Sequence, residues 1–221
     1  MPFGPDGEHV TVRLVDADQP ANNRLTVCNQ WTYQVGLVER RFAIVFLING
    51  LPVVIGEAKT PTRSSVTWFD GAYQVNEIYE KQVPAMFVPN VFSFATEGRM
   101  FRYGSIRMPI DMWGPWRDEE NQEEGQLQHV KAAVASMLRP EVVLDMMQSF
   151  TLFATDKKRR RIKLISRYQQ YSAANQIVDR VIRGYPKKGL IWHFQGSGKS
   201  LLMVFAAQKL RMHPELGNPT V

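Results

Sequence analysis

Residues 41–59, RFAIVFLINGLPVVIGEAK, carry two apolar runs around an Asn49-Gly50 pair. Asn-Gly between apolar runs predicts a hairpin. Both runs are apolar at nearly every position, which predicts central strands covered on both faces. The second run ends in Gly56-Glu57-Ala58-Lys59. Glu57 and Lys59 are two apart and therefore share a face. The turn sets what position 43 faces. A two-residue loop pairs Ala43 with Gly56 and turns it away from Glu57. A three-residue loop, Ile48-Asn49-Gly50, pairs it with Ile55 and places it on the face of Glu57 and Lys59.

The flanking pattern predicts strands over 9–15 and 25–34, separated by a polar loop over 16–24. After Pro61 and Thr62, residues 64–81 predict a helix despite Gly71, with Trp68, Ala72, Val75 and Tyr79 at helical spacing. Residues 85–95 and 99–103 read as short strands. Residues 108–123 hold MWGPW and an acidic run, and read as a connector in which Trp113 and Trp116 pack at a domain junction. Helices are predicted over 127–138, 140–150, 171–182 and 201–212, and strands over 162–166 and 189–194. The fold class is α/β.

Composition bounds the chemistry. The chain of 221 residues is 44% hydrophobic and 22% charged, which excludes wholesale disorder. Net charge is +6 and pI about 9.5, compatible with a nucleic-acid partner without requiring one. Cys28 stands alone, which excludes an internal disulfide and a Cys-rich metal site. The N-terminus does not read as a signal peptide and no run is long enough to span a membrane, so a cytoplasmic location is expected.

Two stretches carry chemistry. A carboxylate beside an ammonium at the end of a buried strand suits a divalent cation and a phosphate oxygen, as phosphodiester hydrolysis requires. Alone, E-x-K is also a common pattern of exposed strand edges. The second stretch is Gln195-Gly196-Ser197-Gly198-Lys199-Ser200, between an apolar run and a helix. Its glycines allow backbone N–H groups to fold round phosphates. Lys199 would reach the β and γ phosphates and Ser200 would hold Mg²⁺. The pattern G-x-x-x-x-G-K-[ST] is incomplete, because its first position falls on His193.

The run GLIWHFQGSGKSL resembles motif I of the helicase-like motor in restriction (R) subunits of type I restriction–modification enzymes. Arg167-Tyr168-Gln169-Gln170-Tyr171 resembles that family's adenine-recognition element, which implies Gln170 on the adenine edge; the plain alternative is a residue at a helix start. GPDGEHVTVRL, NQW, INGLPVVIGEAK and the span from Pro84 to Phe87 resemble its nuclease domain. The resemblance implies a PD-(D/E)xK mixed sheet with flanking helices over 1–121. It further implies linker helices and the start of a RecA-like P-loop motor over 122–221. Mg²⁺ and ATP are the implied cofactors. Double-stranded DNA and the methylation and specificity subunits are the implied partners.

The same resemblance assigns metal binding and water orientation to Glu57 and Lys59, with an Asp on the preceding strand. That Asp position falls on Ala43, in RFAIV where RPDIV is expected. Alanine cannot ligate a metal, and Glu39 lies four residues back, roughly 13 Å along a strand. An intact nuclease fold with crippled cleavage is therefore expected. The family's Gln and Tyr on the next helix are three residues apart in the gap between them; Gln74 and Tyr79 have four between them, and Tyr79 has an alternative role in packing. The chain reads as a fragment whose motor is incomplete and cannot hydrolyse ATP alone. Two other readings stand beside this one: a non-catalytic DNA-binding or docking module, and a nucleotide-binding domain of another motor class.

Overall fold

A computed structural model describes residues 13–63, 65–117, 123–155, 159–217 and 219. Five strands form the main sheet: β1 (Leu25–Val35), β2 (Val38–Ile48), β3 (Leu51–Ala58), β4 (Phe92–Thr96) and β5 (Phe101–Gly104), in that spatial order. The first three run antiparallel as hairpins, β4 is parallel to β3, and β5 returns antiparallel to β4. The sheet is mixed, with the 41–59 hairpin at its centre. Among the described residues a separate two-stranded ribbon joins β6 (Thr151–Thr155) to β7 (Arg161–Ile165).

Both faces of β2 and β3 are covered. On one face α1 (Trp68–Tyr73) continues without interruption through a π-helical turn (Gln74–Tyr79) into α2 (Glu80–Gln82). Thr67 starts it as a capping box: Phe69 N donates to Thr67 Oγ1, and Thr67 N donates to Asp70 Oδ2 at 2.7 Å. Val45, Leu47, Ile55 and Ala95 from the sheet meet Ala72, Val75 and Tyr79 here. Gly71 explains itself by close approach, since a Cβ at that position would stand 3.2 Å from Ala95 Cβ and 3.5 Å from Glu57 Cγ.

The opposite face carries Ile48, Val54, Phe92, Phe94 and Tyr103, packed with α3 (Leu127–Met137), α4 (Pro140–Ser149), α5 (Tyr168–Arg183) and α6 (Lys199–Met212). One apolar core thus runs from the sheet into the second half of the chain. Trp116 rings lie against Tyr103 and Tyr171, and Trp116 Nε1 donates to Ser136 Oγ at 3.1 Å. Trp113 and Trp116 are both buried. No described helix is long and apolar enough to cross a membrane.

Several expectations need correction. Of residues 9–15, those from 13 on form a loop, held by Asn49 Nδ2 donating to Leu14 O at 2.9 Å; residues 9–12 lie outside the described residues, as does the acidic run at 118–120. Residues 85–95 open as a 3-10 turn (Pro84–Phe87), and only Phe92–Thr96 is strand. The proline fixes φ and removes a ladder donor there. Residues 189–194 belong to neither sheet among the described residues, so they form no strand. Burial follows from this: Leu190, Trp192 and Phe194 are exposed.

Candidate active site and phosphate loop

The hairpin turn is the two-residue form, with Ile48 opposite Leu51 and positive φ at Asn49 (52°) and Gly50 (85°). The register then slips. Leu47 faces Pro52, but Phe46 faces Val54, so Val53 is an extra residue on β3. Below the bulge Ile44 lies opposite Gly56, the last pair of this ladder, with Ala43 next to Ile44 on β2 and Glu57 next to Gly56 on β3. Neither loop length considered from sequence describes this, because the bulge resets the pairing after the turn. A second irregularity follows: Phe42 and Val45, three apart, both join the core on the helix side. Opposite, Gln30 of β1 holds φ 52°. The break leaves the Ala43 amide beside the Glu57 carboxylate.

Glu57 is 6% exposed and lies under α1. Its Oε1 accepts from Lys59 Nζ at 3.1 Å, while Oε2 is buried without a hydrogen-bond partner. Burial pushes the Glu57 carboxyl up, and the Lys59 ammonium, the Ala43 amide and the Tyr79 hydroxyl oppose that shift. Lys59 Nζ also donates to Gln74 Oε1, and Gln74 Nε2 donates to the Tyr79 hydroxyl. The hydroxyl donates to Arg41 O at 2.8 Å. The fold thus brings Glu57, Lys59, Gln74, Tyr79 and the main chain at Ala43 into one network.

The π-turn is what admits Gln74 and Tyr79 to it. Five residues along an α-helix turn through about 500°, which leaves the side chains about 140° apart. The i→i+5 winding of Gln74–Tyr79 restores a common face. Tyr79 is also buried against Phe42, with ring centroids 4.6 Å apart, so packing and hydrogen bonding coexist. Sequence spacing alone pointed away from the pair.

The network fits a divalent cation only in part. The orphan Glu57 Oε2 is an available ligand, but position 43 offers no carboxylate. Among the described residues no cluster of three His, Cys, Asp or Glu side chains could hold a metal. Mg²⁺ prefers about six oxygen donors in near-octahedral array, and this set falls short of it.

The phosphate loop lies at the start of α6. Gly196 and Gly198 hold φ of 82° and 80°, conformations that favour glycine. Lys199 Nζ donates to His193 O at 3.3 Å and Phe194 O at 3.0 Å, folding the ammonium back over the loop. Ser200 is exposed on the first helical turn, and the buried Ser197 hydroxyl has no partner. Gln170 is 3% exposed and doubly engaged. Its Oε1 accepts from Arg167 N at 2.8 Å, and its Nε2 donates to Gly198 O at 3.0 Å. In this conformation Gln170 is the third residue of α5, closing its start and tying it to the loop; adenine contact would require it to exchange those bonds.

Residues 3–109 match the family model described as Type I restriction enzyme R protein N terminus. Residues 169–221 match the model described as SWI2/SNF2 ATPase. The chain is 34% identical over 220 residues to the Type I restriction enzyme HindI endonuclease subunit of Haemophilus influenzae, covering 95% of this chain and 21% of that protein. It is 29% identical over 178 residues to the Putative type I restriction enzyme MjaVIIIP endonuclease subunit of Methanocaldococcus jannaschii, covering 73% and 16%. A Staphylococcus aureus relative, the Type I restriction enzyme SauMSSORF170P endonuclease subunit, is 24% identical over 96% of this chain and 22% of its own length. The chain spans about a fifth of the length of these curated relatives. It belongs to the family of type I restriction enzyme R proteins and carries the N-terminal region of that family.

Proposed function

We propose that this chain is the nuclease-type module of a DNA-translocating restriction subunit, joined to the first elements of its nucleotide-driven motor, and that its DNA cleavage is impaired. The sheet corresponds to a PD-(D/E)xK arrangement and the segment around α5 and α6 to the start of a RecA-like lobe. Glu57 is the metal-ligating carboxylate. Lys59 is held between it and Gln74, positioned to meet a scissile phosphate. Tyr79 orients Gln74. The observation that carries this reading is the network Glu57–Lys59–Gln74–Tyr79 beside a backbone position, Ala43, that lacks a carboxylate.

When bound, Mg²⁺ would supply charge for the scissile phosphate and a polarised water. Glu57 alone holds it poorly, so no hydrolytic step is assigned to the chain as it stands. What these residues do by themselves is bind: Lys59 offers an ammonium to a phosphodiester while Gln74 fixes its direction. The partners are double-stranded DNA and the methylation and specificity subunits. Phosphates of ATP would rest on residues 195–200, with Lys199 released from His193 O and Phe194 O to meet them, and Ser200 would hold the nucleotide's Mg²⁺.

The experiment is paired binding and cleavage on linear duplex DNA with Mg²⁺. Binding that weakens steeply with salt, without cutting, is expected. Efficient cutting by the unaltered chain would overturn the impairment, and absence of duplex binding at low salt would overturn the module's assignment.

A further inference from the structure

Two aromatic rings face outward from the helix that covers Glu57. Phe69 is 48% exposed and Tyr73 50% exposed. The core does not use them: Ala72, Val75 and Tyr79 supply the face of this helix that meets the sheet. Residues four apart on a helix are neighbours on its surface, roughly 5–6 Å apart at Cβ, so the two rings form a pair. Trp68 backs the pair. Partly buried against the helix-side core, it meets Phe69 edge to face with ring centroids 5.9 Å apart. The Arg102 guanidinium lies 5.6 Å from the centre of the Trp68 ring.

The pair borders the network of Glu57, Lys59 and Gln74. Tyr73 directly precedes Gln74, whose side-chain oxygen accepts from Lys59 Nζ. The Lys59 side chain keeps 21% of its surface open, and Arg63, in the turn that leads to the helix, is exposed. The acids on this stretch are already engaged: Asp70 accepts from Thr67 N at 2.7 Å, and Glu77 pairs with Lys81. Open rings beside an ammonium and a guanidinium suit a polyanion that carries flat apolar faces. Inside a duplex each base face is covered by its neighbours in the stack. A side-chain ring therefore meets a base face on a strand released from pairing.

We infer that Phe69 and Tyr73 form a stacking platform for one unpaired DNA strand, with that strand's phosphates directed toward Lys59. The inference rests on the reading of this chain as a nuclease-type DNA module and narrows it: the module prefers a released strand to intact duplex. Stacking on a ring tolerates any sequence, because every base has a π-face. The platform thus discriminates strand state and leaves base order unread.

Fluorescence anisotropy on the full chain compares a blunt duplex with the same duplex carrying a short single-stranded arm. The armed duplex should bind about tenfold tighter. Phe69→Ala/Tyr73→Ala should erase that preference and leave blunt-duplex affinity unchanged, whereas Phe69→Trp/Tyr73→Trp should keep it. 2-Aminopurine placed in the arm reports stacking directly on the unaltered chain, which guards against a variant that merely misfolds. Its fluorescence should be quenched at saturation by the unaltered chain and not by the alanine variant. Equal affinity for the two DNAs, or 2-aminopurine that stays bright when bound, overturns the platform while duplex binding upholds the module. Loss of blunt and armed duplex alike in the alanine variant also overturns it. So does self-association of the unaltered chain that the alanine variant abolishes, which assigns the rings to contact between copies. No binding of either DNA overturns both readings.

Discussion

The side-chain amide of Gln74 donates to the hydroxyl of Tyr79, five positions further along one helix. Only a π-helical turn brings residues at that spacing onto a common face, and the turn covers Gln74–Tyr79 itself. The extra residue in the helix is absorbed by its winding, and Lys59 gains a fixed acceptor as a result.

Tyr79→Phe keeps the ring packed on Phe42 but deletes the bond to Arg41 O and the acceptor for Gln74. A loss of about 1–2 kcal/mol is expected, read from the urea midpoint at unchanged slope. Gln74→Ala should cost less, since the Tyr79 hydroxyl keeps its bond to Arg41 O.

Gly56 marks the tightest approach in the sheet. A Cβ there would stand 2.2 Å from Cζ of Phe94, which is itself buried in the core. Gly56→Ala is expected to destabilise by about 1–3 kcal/mol. Phe94→Leu in the same chain should recover part of that loss, measurable as a non-additive double-mutant cycle.

Glu80 gives the fold a pH dependence. Burial pushes its carboxyl from 4.5 up to about 7, with the Arg107 amide as partial compensation, and its Oε1 has no partner. Between those values the folded chain binds more protons than the unfolded one, so stability falls as pH rises from about 4.5 to 7. The fall is up to about 3 kcal/mol. Glu80→Gln should flatten the curve over that window; an equally steep curve in the variant assigns the slope to other groups.

Much of the central architecture was legible in the chain. Asn49-Gly50 announced the hairpin, and apolar residues on both faces of 41–59 announced central strands. Trp68, Ala72, Val75 and Tyr79 marked the helix that covers them. What the pattern could not carry was phase. In LPVVI every position is apolar, so nothing in it reveals that Val53 is extra, and the parity of Ala43 depends on that residue. A template with 3.6 residues per turn cannot register the π-turn either. Residues 189–194 have strand composition, but a strand also needs a hydrogen-bonding neighbour, which sequence does not supply locally. The β6 strand was missed because Thr151–Thr155 is short and follows a helix with little punctuation. At Gln170 the motif was visible, while its bonds to Arg167 N and Gly198 O were decided by tertiary contact.

The central claim, as proposed above, is that one missing carboxylate at position 43, whose amide lies beside Glu57, separates this site from a working one. The direct measurement is cleavage of a linear duplex by Ala43→Asp with Mg²⁺, alongside the unaltered chain and Ala43→Asp/Glu57→Ala. Metal-assisted charge stabilisation worth several kcal/mol predicts a rise of at least about a hundredfold in the single variant, abolished in the double one. A correctly folded Ala43→Asp chain that cuts no faster than the original contradicts the account.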